Sequence, residues 1–108
     1  MTTFDSTIGA SVTQVPINFS GAGDNILVAG IAGKRIKVLQ FFFVLAAATN
    51  LTYKSGSTSL SGPLDFSSIG AQVQDFIQLP MTCLIGDPFI INSTNAVQFG
   101  GTIWYIQA

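Results

Sequence analysis

Histidine and glutamate are absent from this chain of 108 residues, and cysteine occurs once. Nucleophilic triads and zinc sites are built from histidine or from several cysteines, so the sequence lacks the residues for either. The single cysteine, Cys83, has no partner for an intramolecular disulfide, and the fold must therefore be stable without one. This composition suits folding in a reducing cytoplasm.

Charged side chains are also scarce. They make up 8% of the residues, compared with about 25% in an average soluble protein. With four cationic residues the chain offers few contacts to phosphates, and we expect no nucleic-acid partner. Because the formal net charge is only -1, long-range repulsion between copies of the chain opposes self-association weakly.

Long hydrophobic runs are missing as well. The longest uninterrupted apolar run covers residues 41–48, whereas a membrane-spanning helix needs about 20 residues. The N-terminus has neither the basic segment nor the apolar segment of a secretory signal. We therefore expect no membrane partner and no secretion.

The sequence does contain short runs rich in Ile, Val, Phe and Thr, separated by turn-forming clusters such as 20–25, 54–63 and 92–95. This spacing is typical of a β-sandwich or barrel, and no long window has a helical hydrophobic period. We predict an all-β fold, a single-domain, jelly-roll-like antiparallel β-sandwich over residues 1–108, with residues 1–11 as a candidate extended N-terminal arm. The predicted strands are 12–19, 24–30, 34–47, 49–55, 58–61, 72–79, 88–92, 95–99 and 101–107.

The predicted strand at residues 34–47 becomes apolar on both faces after Gln40. Strict alternation along a strand divides its side chains between the two sides of the sheet. One side would carry Ile36, Val38, Gln40, Phe42 and Val44, and the other Lys37, Leu39, Phe41, Phe43 and Leu45. The C-terminal strand repeats the pattern, with Trp104 and Ile106 on one side and Ile103 and Tyr105 on the other.

A single sandwich has one interior, so the second apolar face of each strand must be covered by something else. The alternatives are a folded-back arm or loop of the same chain and a second subunit. We favour a subunit interface, because obligate interfaces resemble a hydrophobic core cut in half. The residues expected to form the core or the oligomer interface are Phe41, Phe42, Phe43, Trp104 and Tyr105.

The positive charge is concentrated just before this apolar run, in Lys34, Arg35 and Lys37. These residues fit a solvated edge that keeps the strand soluble. They also fit a contact patch for an acidic partner surface, such as that of a shell protein.

Other candidate sites are weaker. The stretch "GIAGKR" at 30–35 lacks the first glycine and the Ser or Thr of a phosphate-binding loop, and "GAG" at 21–23 lacks the third glycine of a dinucleotide fingerprint. The aspartates are not spaced as a calcium loop, and most lie in predicted turns. Tyr53, Trp104 and Tyr105 could form a sugar-stacking platform, although aromatic residues in strands more often belong to a core or interface. We expect no catalytic residue, metal site or cofactor, and no enzyme.

Two stretches carry a resemblance to a known group of proteins. The first is "GDNILVAGIAGKRIKVLQFFFVLAAATNLTYKSGSTSLSGPLDF" at residues 23–66, and the second is the closing "GGTIWYIQA" at 100–108. Together they cover about half of the chain. This order of strands and turns resembles small structural proteins of tailed bacteriophages, of the capsid cement (decoration) type.

The resemblance implies a jelly-roll or related β-sandwich that is commonly trimeric. It implies a protein of the virion, assembled in the cytoplasm of the host bacterium, in which trimers clamp neighbouring subunits of the major capsid protein. Lys34, Arg35 and Lys37 would then be candidates for contact with the capsid. The alternative function is a lectin-like or receptor-binding module of a phage tail or head fibre, built on the same sandwich.

Overall fold

The computed structural model describes residues 2–5, 10–66, 70–75 and 80–108. Across these ranges the chain forms short and medium β-strands joined by turns, and no helix in them is long and apolar enough to span a membrane. The strands are β1 (Thr2–Asp5), β2 (Ala10–Phe19), β3 (Gly23–Val28), β4 (Ile36–Leu45), β5 (Thr49–Ser55), β6 (Thr58–Ser59), β7 (Leu64–Phe66), β8 (Gly70–Asp75), β9 (Met81–Thr82), β10 (Phe89–Ser93) and β11 (Phe99–Gln107).

The strands form two antiparallel sheets. Sheet A has the order β1-β2-β11-β4-β8, with β9 paired to the beginning of β4. Sheet B has the order β3-β10-β5-β6, with β7 also paired to β5. The predicted all-β, antiparallel fold is confirmed, and the two sheets are consistent with a β-sandwich. Residues 2–5 of the predicted arm form β1, the edge strand that pairs with β2.

The core lies between the two sheets and is rich in aromatic rings. Phe41 and Phe43 of β4 are fully buried and meet Tyr53 of β5 and Phe99 of β11. The Phe41 ring meets Tyr53 edge-on at 5.2 Å, and Phe43 meets Phe99 at 5.9 Å, which are favoured arrangements of aromatic pairs. Each fully buried phenylalanine contributes about 1.5–3 kcal/mol by leaving water, so these rings account for much of the stability of a sandwich without disulfides.

A β-bulge in β4 changes which residues face the core. Gln40 pairs with Trp104, but Val38 pairs with the next residue, Tyr105, so Leu39 is an extra residue in the ladder. The strict alternation predicted for this strand is therefore wrong across Leu39. Val38 and Phe41 both point into the core. The bulge sends Ile36 and Val38 inward together with Phe41, Phe43 and Leu45, and leaves Lys37, Phe42 and Val44 exposed.

The predicted break between strands 95–99 and 101–107 is wrong. Gly100 and Gly101 lie inside β11, which runs unbroken from Phe99, and residues 95–98 precede this strand. A Cβ atom at position 101 would collide with the backbone carbonyl of Phe42, so glycine is needed here for close approach of two strands. Strands β1, β7 and β9 were not predicted, and residues 76–79 of a predicted strand lie outside the described ranges.

Candidate interaction surface

The outward side of sheet A carries a group of exposed and half-buried apolar side chains, which we call the outer patch. Phe42 is 40% exposed and Val44 is 53% exposed, and both point away from the core. Phe42 pairs with Thr102, which pairs in turn with the exposed Pro16, so the patch crosses three strands. The outer patch consists of Pro16, Phe42, Val44, Trp104 and Ile106.

Local sequence explains why the patch is open to solvent. After the bulge at Leu39, alternation along β4 directs every second side chain outward. Gly100 of β11 pairs with Val44 of β4 and has no side chain, so β11 provides no side chain to cover Val44. The Phe42 and Trp104 rings lie next to each other, with centroids 6.1 Å apart. The two rings therefore lie side by side on the outward face, next to the open surface over Gly100.

Charge is absent from the outer patch and lies at its margin. Lys37 pairs with Ile106 at one end of the patch and with Thr82 of β9. Asp5 lies on β1, at the opposite edge of the described sheet. The face therefore presents apolar surface in its centre and charges at its rim, which is the distribution found in subunit interfaces.

The outward side of sheet B is different, because its centre is polar and charged. The Lys54 ammonium donates to both carboxylate oxygens of Asp24, at 3.0 and 3.2 Å, and the Asn92 amide donates to the same carboxylate at 2.7 Å. The hydrogen bond from Asn92, and then that from Lys54, hold the pKa of Asp24 below its usual value of 3.8. This face has one large exposed apolar side chain among its described residues, Ile26.

The five aromatic residues predicted for core or interface divide between the two sides of sheet A. Phe41 and Phe43 are completely buried in the core, and Tyr105 packs against that core from the inner face. Phe42 and Trp104 lie outside, in the outer patch. Sequence alternation predicts the division in β11, whereas in β4 it holds only after the bulge.

Trp104 also forms one wall of a cleft on the side away from Phe42. The cleft has a volume of about 210 Å³ and is lined by Thr3, Asp5, Val12, Gln14 and Trp104. It exists because β1 folds back onto β2, pairing Thr3 with Val12, and because Gln14 pairs with Trp104. Sequence analysis missed the contributions of β1 and β2, since no local pattern indicates which strand lies next to β11.

Of the predicted sugar-stacking platform, only Trp104 lies at this cleft. The Tyr53 ring is buried between the sheets, and burial raises the pKa of its hydroxyl. Tyr105 faces the opposite side of sheet A. The three predicted aromatic residues therefore do not form one surface.

The three predicted cationic contact residues have different environments. Lys34 and Lys37 are exposed. Arg35 is half-buried, and its backbone forms a reciprocal pair with Ala108, with N to O distances of 2.9 and 3.1 Å. Its Nε atom is buried without a hydrogen-bond partner among the described residues. Lys34 and Lys37 are thus available to a partner, whereas Arg35 anchors the C-terminus.

Two loops at one end of the sandwich, residues 29–35 and 83–88, pack closely and are here called the end loops. The Gly86 N–H donates to the Lys34 carbonyl at 2.8 Å, and Gly30 is pressed so closely to the Gly86 carbonyl that a Cβ there would collide. Three large apolar side chains remain exposed on these loops, between 46% and 62%. They are Ile31, Leu84 and Ile85.

A buried polar network fixes the second end loop. The Ser55 hydroxyl donates to Asp87 Oδ2 at 2.9 Å and accepts the Leu84 N–H at 2.8 Å. Cys83 is buried beside this network, and burial raises the pKa of its thiol. Within the described ranges, no three residues among His, Cys, Asp and Glu come together as a possible metal site. The role that these hydrogen bonds support is structural, because they hold the loop at residues 83–88 in its conformation.

Comparison of the sequence and the fold with known proteins finds no match. The sequence matches no protein-family model. It matches no curated protein, and its fold matches no solved structure. The residues and geometry described above therefore carry the functional argument.

Proposed function

We propose that this chain is a non-enzymatic structural module that assembles with copies of itself through the outer patch, as a capsid cement (decoration) protein of a tailed bacteriophage. The observation that carries the proposal is the exposure of Phe42 and Val44, with Trp104 beside them, on a sheet face without charge at its centre. Monomeric proteins rarely leave a contiguous apolar surface of this kind uncovered.

A second copy of the chain is the occupant that this surface fits best. A face that packs on copies of itself must not place like charges opposite each other, and the centre of the outer patch meets this condition. The low net charge of -1 adds little repulsion between whole subunits. A trimer, as the phage resemblance implies, would bring three outer patches together around one axis.

The order of the strands supports the jelly-roll part of the proposal. In chain order, β2, β3, β4 and β5 alternate between sheets A and B, and β7 remains in sheet B. Strands β8, β10 and β11 then alternate again, which gives eight principal strands in two sheets of four. Double-sheet folds of eight strands are common in viral capsid proteins.

The end loops are the proposed contact with the shell. Ile31, Leu84 and Ile85 supply exposed apolar tips, and Lys34 supplies a positive charge beside them. This combination fits an apolar depression with an acidic rim on the major capsid protein. A trimer would make three such contacts at once, so that modest single contacts sum to tight clamping.

Two measurements test the proposal. Light scattering of the purified protein is expected to give the mass of a trimer, and a monomer at micromolar concentration would contradict assembly through the outer patch. Particles assembled without this protein are expected to open at a lower temperature than complete particles. Equal stability of the two kinds of particle would argue against cementing, whatever the oligomeric state.

A further inference from the structure

We infer that Phe4 of one copy packs into the outer patch of the next copy, in a gap that we call the Gly100 notch. This contact rests on the proposed assembly function and specifies the residues that join the copies. The notch lies on the outward side of sheet A, between Asn18 and Val44, which both pair with Gly100. Asn18 and Val44 are exposed, and Gly100 has no side chain to fill the space between them.

Phe4 is the large apolar side chain with the least cover from its own chain. It is 65% exposed, the largest fraction among such side chains of the described residues. On β1 it lies on the same side as Thr2, whose hydroxyl oxygen is 2.9 Å from that of Thr13. Thr13 pairs with Tyr105, which packs against the core, so Phe4 lies on the inward side of sheet A. Because β1 is an edge strand, sheet B leaves this ring uncovered.

Phe4 cannot fill the notch of its own chain. The ring and the notch lie on opposite sides of sheet A, and β2 and β11 separate β1 from β4. A contact between them therefore joins two copies. The donating and receiving surfaces differ, so the contact is heterologous. Head-to-tail contacts of this kind close into a ring, such as a trimer, when the rotation between copies permits it.

The outer patch alone is too small for a stable interface. A standard interface buries about 800 Å² on each partner and involves about 20–30 residues a side, far more than the residues of the patch. A second surface of the next copy must therefore contribute. The inward side of β1 and of the adjoining part of β2 carries an apolar ring among hydroxyl groups, from Thr2, Phe4, Ser11 and Thr13. Neither this surface nor the centre of the outer patch would bury an unpaired charge.

The glycine at position 100 has no explanation within its own chain. Its φ is not positive, so its backbone conformation is open to other residues. A Cβ atom there would lie at an ordinary 3.6 Å from the Ile17 carbonyl oxygen. Glycine in a strand often marks the close approach of another group, and an aromatic ring over such a glycine restores the missing packing. Val44 and Phe42 would flank an incoming Phe4 ring with apolar surface.

Chemical cross-linking locates the contact while Phe4 and the notch glycine stay in place. Thr2→Cys puts a thiol beside Phe4, and Asn18→Cys puts one at the edge of the notch. Within one chain these positions face opposite sides of sheet A and lie about 17 Å apart along β2, so a short bismaleimide can join them only between copies. Cys83 is buried and should not react. The double variant should give a ladder of covalent oligomers on a denaturing gel, and each single variant should remain monomeric there.

Two further variants test the fit of the ring. Phe4→Ser should raise the dissociation constant of the oligomer about tenfold or more, as expected for the loss of an aromatic anchor. Gly100→Leu should have a similar effect although it adds apolar surface, because its side chain occupies the notch. Ile26→Ser, at an exposed position on sheet B, is the control and should assemble as the wild type does. Light scattering over a concentration series measures association, and thermal melts show that each variant is folded.

The results that would overturn the inference differ from those that would overturn assembly itself. An oligomeric double variant that gives no ladder, or a ladder from either single variant, would show that Phe4 does not meet the notch. Wild-type association of folded Phe4→Ser, or tighter association of Gly100→Leu, would show the same. In all these cases the proposed assembly through the outer patch would still stand, whereas a monomeric wild type would overturn both.

Discussion

Phe42 and Trp104 lie against each other on the outward side of sheet A, with ring centroids 6.1 Å apart and ring planes inclined by 42°. They are diagonal neighbours, because Phe42 pairs with Thr102 and Trp104 pairs with Gln40. Diagonal aromatic pairs stabilise a sheet by about 0.2–1 kcal/mol, which is small compared with the benefit of burying two large rings, whereas Phe42 is 40% exposed and Trp104 is only half-buried. The pair is better explained as part of a surface that a partner covers.

Phe42 and Phe43 provide a matched test of this explanation, since they are adjacent in sequence and point to opposite sides of the sheet. Phe42→Asp should leave the fold intact, because the ring is 40% exposed, but it should convert the oligomer to a monomer. Phe43→Asp should prevent folding, because it places a charge in the core at a cost of several kcal/mol. Light scattering and thermal melts distinguish the two results.

Ile26→Asp is the control for Phe42→Asp. Ile26 is exposed to a similar degree but lies on the outward side of sheet B. This variant should remain an oligomer. If the Ile26 variant dissociates and the Phe42 variant does not, the interface lies on sheet B and not on the outer patch.

Gly101 tests the close approach of β11 to β4. Gly101→Ala should destabilise the protein by about 1–3 kcal/mol, because the added methyl group collides with the Phe42 backbone and forces the strands apart. Gly100→Ala is the neighbouring control, since its Cβ would lie at an ordinary 3.6 Å from the Ile17 carbonyl oxygen. Urea unfolding of both variants measures the difference, and equal stabilities would contradict the steric explanation.

The extent to which sequence predicts this molecule depends on how local each feature is. Turn clusters and β-rich runs are local, and they predict the all-β class and most of the long strands. The bulge at Leu39 is not local, because it depends on how β4 pairs with Tyr105 and Trp104. The same limit explains Gly101, where a glycine that is typical of a turn instead allows two strands to approach.

The candidate surfaces follow the same rule. Alternation along β11 predicts that Trp104 and Tyr105 lie on opposite sides, but it cannot say which side faces solvent. The cleft brings Thr3 and Asp5 to a tryptophan about a hundred residues later in the chain. That proximity results from the strand order β1-β2-β11, which no short stretch of sequence encodes.

The hydrogen bonds to Asp24 predict a pH dependence of stability. Asn92 and Lys54 lower the pKa of Asp24 in the folded state, so the folded chain binds this proton less readily than the unfolded chain does. The resulting stabilisation is present above the usual pKa of 3.8 and is lost as the pH falls through the lower, folded value. Because Asp24 is exposed, the contribution should be below about 1 kcal/mol.

Urea unfolding of the wild type and of Asp24→Asn measures this contribution. The wild type should be the more stable of the two near pH 7, and the difference should shrink as the pH falls below 3.8 and through the lower pKa of the folded state. Asp65→Asn, at an exposed aspartate on β7, is the control. A constant difference between wild type and Asp24→Asn at all pH values would show that charge on Asp24 is not its source.

Ser55 tests the network behind the second end loop. Ser55→Ala removes the donor to Asp87 and the acceptor of the Leu84 N–H, both in a fully buried position. The loss should destabilise the protein by about 1–3 kcal/mol, because buried polar groups are left without partners. Ser59→Ala, at an exposed residue of β6, should change stability little. Similar melting temperatures for the two variants would contradict the role of the network.

The end loops provide the test of shell contact, and Ile85 is the sharpest position because it is 62% exposed. Ile85→Asp should preserve both fold and oligomer but should greatly reduce binding to particles assembled without this protein, measured by co-sedimentation. Lys34→Ala should weaken the same binding and make it less sensitive to salt, since screening acts on a contact between exposed charges. Ile26→Asp again serves as the matched isoleucine control and should bind as the wild type does. If Ile85→Asp co-sediments normally while Ile26→Asp does not, the particle contacts sheet B, and the clamping geometry proposed for the end loops is wrong.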